Sequence, residues 1–251
     1  MMRKIIVVLA ALLITAGWAL AEPGRLLLST ENKMPDLHQL EAGLLFNYAE
    51  IPAVFPDYGD NEEYYAAPYL RFGLLENLTV VGRVPFVSVD PEFGDGESGL
   101  GDVSLGFQLL AFEDALRYPY VIPYADVSFP TGDEDKGLGT GETMVKLGAA
   151  VGTTVQDVFH YVADISYTVA GGDYENYAGL SLGFIWDLSK KFSLLLEGNV
   201  RDLDYEGDSY TLFGQAGMTY RATKALMFGV YGGAGDVEDT SISFKTSYTF
   251  F

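Results

Sequence analysis

The chain has 251 residues, 15 basic and 35 acidic groups, a formal net charge of −20 and no cysteine. The acidic balance argues against a nucleic-acid partner, which is held by clustered Lys and Arg. Without cysteine there is neither a disulfide framework nor a zinc site of cysteines.

The chain opens with a short basic region, Arg3-Lys4, and an apolar run from Ile5 to Ala16 that is too short to span a bilayer as a helix. Ala19-Leu20-Ala21 fits a small-x-small cleavage site. Residues 1–21 therefore read as a cleaved signal peptide, with Glu22 as the mature N-terminus. Residues 22–36 read as an N-terminal lead in the periplasm, and residues 37–251 as one β-rich unit.

That unit alternates apolar with small or polar residues, the period of a β-strand with one apolar face. Strand one is read over Leu37–Ala49, with Leu40, Ala42, Leu44, Phe46 and Tyr48 on one face. Strands two and three are Tyr64–Leu75 and Leu78–Val89, turning at Glu76-Asn77. Gly99–Phe112 and Tyr118–Phe129 follow, then Glu142–Thr153 and Asp157–Val169 around a tight turn. The clearest unit starts at Tyr177. Leu180, Leu182, Phe184, Trp186 and Leu188 alternate with small or polar residues, and the pattern resumes at Phe192 and runs to Arg201. Ser209–Tyr220, Lys224–Ala234 and Thr240–Phe251 complete the series.

Each run has roughly the 9–11 residues that a tilted strand needs to cross a bilayer. No later window is apolar for the length of a helical span, so membrane residence means a closed barrel. The fold expected is all-β: a transmembrane antiparallel up-and-down β-barrel of about 12 strands, with short periplasmic turns and longer outer loops. A soluble barrel or sandwich is the rival. The apolar set is too large for the inside of one barrel, and the signal peptide agrees with export to the bacterial outer membrane. Outer-membrane lipid and lipopolysaccharide are then expected partners. The terminal strand ending in Phe251 resembles the signal read by the barrel-assembly machinery. Phe251 itself falls out of phase with Ile242, Phe244, Tyr248 and Phe250.

Two motifs carry a family resemblance. Gly99-Leu100-Gly101-Asp102-Val103 opens one strand. Phe129-Pro130-Thr131-Gly132-Asp133 closes the next, and Gly137-Leu138-Gly139-Thr140-Gly141 follows. Gly99, Gly101, Asp102, Pro130, Thr131 and Gly132 are the motif positions. The pattern resembles the outer-membrane family named after the meta-pathway of phenol degradation. The resemblance implies a barrel and a transport role for aromatic or other small hydrophobic compounds, without naming a substrate or a functional residue.

Strand parity places a set of charges toward the lumen. Arg71 and Arg83 come out opposite each other about Asn77. Asp102 and Asp126 fall at similar height, and Lys146 faces Asp164 about Val155. Glu41, Glu197, Arg201 and Lys245 extend the belt round the other half. The plain reading is a salt-bridged interior, since polar interiors are the rule. The sharper reading is a constriction that selects solutes by charge, with Arg71 and Arg83 holding the carboxylate of an aromatic acid.

Acidic clusters in the outer loops could take Ca²⁺ or Mg²⁺: Asp57, Asp60, Glu62 and Glu63; Asp90, Glu92, Asp95 and Glu97; Asp202, Asp204, Glu206 and Asp208. None has an EF-hand pattern, and solvated loops are the plainer reading. The string Gly94 to Gly99 satisfies G-x-G-x-x-G but leads into a strand, and Gly137 to Gly141 lacks the Lys and helix of a P-loop. Hydrolytic outer-membrane barrels need a placed histidine. His38 and His160 both fall near periplasmic strand ends and read as interfacial or turn residues, so no enzyme and no cofactor is expected. The function expected is a channel or transporter for small solutes. The alternative is a non-conducting surface barrel whose acidic loops bind cations, lipopolysaccharide or a partner.

Overall fold

The computed structural model describes residues 24–51, 61–92, 94–113, 119–172, 174–202, 210–236, 238 and 240–250. The signal peptide, Phe251 and the acids at 57, 60, 204, 206 and 208 lie outside the described residues. The alternating runs form β1 (Leu40–Ile51), β2 (Asn61–Leu75), β3 (Leu78–Arg83), β4 (Phe86–Pro91), β5 (Glu97–Leu100), β6 (Val103–Leu109) and β7 (Tyr120–Phe129). The second half gives β8 (Met144–Val155), β9 (Phe159–Val169), β10 (Tyr177–Asp187), β11 (Phe192–Asp202), β12 (Thr211–Arg221), β13 (Leu226–Gly235) and β14 (Thr240–Phe250).

All pairings are antiparallel. β3 and β4 both pair with β2, and β5 and β6 pair in turn with β4 and β3. Each of these couples is one stave interrupted by two residues, so the wall has twelve staves. β1 pairs with β2 on one side and β14 on the other, which closes the sheet. Closure removes the open edge that hydrocarbon would not tolerate. The interruptions fall at Val84-Pro85 and Gly101-Asp102. Proline has no N–H to give the ladder. The wall is nevertheless bridged there, because Val84 N–H donates to Pro68 O and Gly101 N–H donates to Pro85 O.

Period two fixes the faces. Leu70, Leu147, Ile165, Leu182, Leu196 and Leu212 point outward and stay more than half exposed. Such a band is a liability in water and the hydrocarbon contact of a membrane barrel. Aromatic pairs stand on the outer face toward the turns, as Phe159 with Phe184 at 6.1 Å and Phe192 with Tyr220 at 4.8 Å. The protein is an outer-membrane barrel. The end with the short turns carries the start of β1 and the end of β14, and faces the periplasm.

Register differs from the spacing argument. Arg83 faces Tyr69, and Arg71 faces Val81, a shift of two. Lys146 faces Thr168, and Asp164 faces Ala150, a shift of four. The turn after β8 is centred on Asp157, two residues later than expected. Gln156 and Asp157 adopt φ of 56° and 58°, the left-handed region that tight hairpins require. Both shifts are even, so no side chain changed face.

Candidate functional site: a plugged lumen

Residues 24–34 of the segment expected as a periplasmic lead lie instead inside the barrel. Its sequence gives the reason: Leu26, Leu27 and Leu28 seek cover, and Arg25 and Glu31 seek partners. Leu26 sits in an apolar socket of Tyr120, Ile122, Ala150, Val162, Ile185, Leu195 and Tyr231, which is the core of the molecule. Gly183 makes room for it, since a Cβ there would meet Leu26 Cδ1 at 2.9 Å.

Polar contacts fix the rest of the plug. Glu197 accepts three consecutive backbone N–H groups, from Leu27 and Leu28 at 3.0 Å each and from Ser29 at 3.1 Å. Gln215 Nε2 donates to the same carboxylate at 2.7 Å. Successive N–H groups around one anion form a nest. Thr30 N–H donates to Asp164 at 3.0 Å, and Lys245 Nζ donates to Leu26 O at 3.2 Å. Tyr231 donates its hydroxyl to Arg25 O.

Arg25 is 2% exposed and binds Glu31 through its Nε at 3.0 Å and a terminal nitrogen at 2.6 Å. It also pairs with Asp187. Burial alone would raise the Glu31 carboxyl; the Arg25 guanidinium more than reverses this and holds it below its ordinary value. The plug thus occupies part of the lumen. Against it remains a cavity of about 250 Å³, lined by Glu41, Arg71 and Gln108 nearer the turns and by Arg83, Lys146 and Asp164 farther in, among others.

The charges read as a belt separate into pairs. Arg71 binds Glu41 at 2.9 Å and Lys33 O at 2.7 Å, so it anchors the plug rather than a partner arginine. Arg83 binds Asp126 at 3.0 Å. Gly106 lies between their strands, and a Cβ there would meet Asp126 Oδ2 at 2.6 Å. Asp164 accepts the Tyr124 hydroxyl at 2.7 Å as well as Thr30 N–H. Lys146 places its ammonium 5.8 Å from the centre of the Tyr124 ring. Arg201 lies at the loop end and donates to Asn199 at 3.1 Å. The opposed arginine pair is therefore replaced by two arginine–carboxylate pairs on separate levels.

Asp102 is not part of the belt, because β6 starts one residue after it. Its Oδ1 accepts Gly132 N–H at 2.9 Å, and its Oδ2 accepts the N–H and hydroxyl of Thr140 at 2.8 Å each. Thr131 donates its hydroxyl to Gly101 O and accepts Val103 N–H, both at 2.9 Å. Leu138 tucks against Gly99 and is 5% exposed. The two motifs and the glycine-rich loop are one knot over the interrupted stave.

His160, expected at an interface or turn, faces the lumen. Its Nε2 meets Asp187 Oδ2 at 2.8 Å, and its Nδ1 meets Thr154 Oγ1 at 2.9 Å. Arg25 and Ser193 occupy the other oxygen of Asp187, which makes the cluster an anchor for the plug. His38 lies in the turn before β1 with φ of 62° and stacks on Phe72 at 6.4 Å. Among the described residues no group of three or more His, Asp or Glu could hold a metal ion.

What sequence reasoning missed is the plug. The signal was available: an apolar triplet outside any strand, next to a lumen with an excess of unassigned charges.

The barrel resembles several solved structures. An outer membrane channel from Pseudomonas putida F1 aligns with a TM-score of 0.70 at 14% identity, covering 91% of this chain and 100% of that one. The KdgM porin aligns at 0.55 with 10% identity, covering 83% and 99%. The translocator domain of autotransporter NalP from Neisseria meningitidis aligns at 0.54 with 12% identity, covering 99% and 94%. At these identities the likeness shows the fold. No curated protein matches the chain. The model of the family described as "Putative MetA-pathway of phenol degradation" matches residues 48–250.

Proposed function

Because the chain belongs to the MetA-pathway family of phenol degradation, we propose that it is a narrow outer-membrane channel for small aromatic or other hydrophobic solutes, held shut by its own N-terminal segment. The observation that carries this reading is a solute-sized cavity against a plug. Residues of the plug line the cavity and are held in the lumen through separate, breakable contacts. A purely structural barrel needs no cavity of this kind. A wide diffusive pore would not hold a buried Arg25–Glu31 pair in its lumen. Passage requires the plug to shift, and each polar contact that holds it can be replaced by water.

Solutes enter from the loop side. The outward apolar band meets lipid and lipopolysaccharide, and the amphipathic β14 is offered to the assembly machinery.

The test is single-channel recording of the refolded protein in planar bilayers under a salt gradient. Small, infrequent steps are expected from the intact chain, and larger, sustained ones after the plug contacts are removed. A folded barrel that stays silent in both forms would leave the surface-binding role as the better reading.

A further inference from the structure

Resting on the channel reading, we propose that the cavity beside the plug is a binding site for a small aromatic carboxylate, with Lys146 taking its charge. The lumen's cations differ in their partners. Arg25 is held by Glu31 and Asp187, Arg71 by Glu41, and Arg83 by Asp126. Lys245 donates to the plug carbonyl of Leu26. Of these, Lys146 alone shows neither an ion pair nor a hydrogen bond within the described residues, and its ammonium lies over Tyr124.

The two flanking carboxylates are committed elsewhere. Asp126 is opposite Lys146 in the β7–β8 register, but it reaches away across Gly106 to Arg83. Asp164 is taken by Tyr124 and by Thr30 of the plug. The ammonium therefore points into the cavity with its donors available.

Leu45, Ala67 and Val81, with Leu26 of the plug, give the same cavity an apolar patch, beside Glu41, Tyr69 and Arg71 of β1 and β2. A cavity that offers an available ammonium and an apolar patch matches an amphiphile with one anionic head. Its volume of about 250 Å³ is just under the roughly 300–1,000 Å³ of drug-sized pockets. That suits one ring better than a long chain. Asp126 and Asp164 repel any anion here, and a dianion such as a phosphate ester about twice as strongly as a single carboxylate, which favours the monoanion. Arg83, with its side chain 40% exposed, stands beside the same opening and can give a second N–H.

The experiment uses the full barrel, refolded in detergent, with benzoate as probe and benzamide as its uncharged counterpart. Saturation-transfer NMR, titrated to a dissociation constant, reads both. Benzoate is expected to bind at least tenfold tighter than benzamide. Lys146→Gln should bring benzoate down to the benzamide level, and Lys146→Arg should keep most of the difference. Equal binding of the two probes to the unaltered barrel overturns the site, and so does undiminished benzoate binding in Lys146→Gln. The unaltered barrel alone decides the first comparison, so poor folding of a variant does not protect the idea. Conductance separates this from the channel reading: a conducting barrel blind to benzoate loses only the site, whereas a silent barrel that binds benzoate loses only the channel.

Discussion

Replacing Glu197 by Ala should release the plug. The carboxylate accepts three plug N–H groups at 3.0, 3.0 and 3.1 Å, and is itself 3% exposed. Each buried donor left without an acceptor costs about 1–3 kcal/mol. Water can enter the space the carboxylate vacates, so the low end applies, about 3 kcal/mol for the three together. At 1.4 kcal/mol per factor of ten, excursions of the plug should become on the order of 100-fold more frequent. The chain has no cysteine, so a Ser29→Cys substitution supplies a single thiol on the plug. Ser29 Oγ makes no hydrogen bond among the described residues, so little is lost by the exchange. Maleimide should label this thiol slowly in the parent barrel and roughly 100-fold faster beside Glu197→Ala, with Glu197→Gln in between. An equal labelling rate in all three, in barrels of normal heat-modifiable mobility, would falsify the claim that this nest holds the plug.

Three further outcomes are expected. Glu31 is depressed when docked, so its pair with Arg25 contributes fully above the ordinary carboxyl value of 4.5 and is lost as pH falls through the lower docked value. Open-channel events should therefore rise on acidification below about pH 4.5, and Glu31→Gln should show the high frequency already at neutral pH and flatten this response; a parent response unchanged by the substitution assigns the effect to other acids. Asp102→Ala removes an acceptor of three hydrogen bonds and should weaken the motif knot by about 2–4 kcal/mol. Trypsin cleavage after Lys136 should then speed up markedly, and unchanged cleavage would show that Leu138 holds the loop without it. Gly106→Val should push Asp126 off Arg83 and shift ion selectivity in the same direction as Asp126→Asn, and selectivity matching the parent would separate this pair from the ion path.

Faces were legible in the sequence, and heights were not. Glu41, Arg71, Arg83, Asp126, Lys146, Asp164, Glu197 and Lys245 all face the lumen as parity requires. A strand's period is two whatever its partner does. Height depends on where each turn is centred, and register shifts of two and four residues, from turns expected at Asn77 and Val155, were enough to dissolve the expected Arg71–Arg83 and Lys146–Asp164 pairs. Asp102 also obeys parity on paper, but the stave breaks beside it, and no period reports a break. The plug has no period at all. Its position depends on which cavity can cover three leucines, which is a property of the closed barrel and not of the segment.

The plug also orders the events of assembly. Residues 25–30 are held by Asp164, Asp187, Ser193, Glu197, Tyr231 and Lys245, at separations of 134 to 219 residues along the chain. The first described segment cannot reach its seat until the last staves exist. Contacts of such long range form late, because the intervening chain must be ordered first. An incompletely wound sheet therefore presents a free N-terminal tail and an unfilled polar interior, and only a closed one hides both. Burial of Arg25 becomes a signature of completed winding, readable as the step at which the chain's beginning loses its sensitivity to protease.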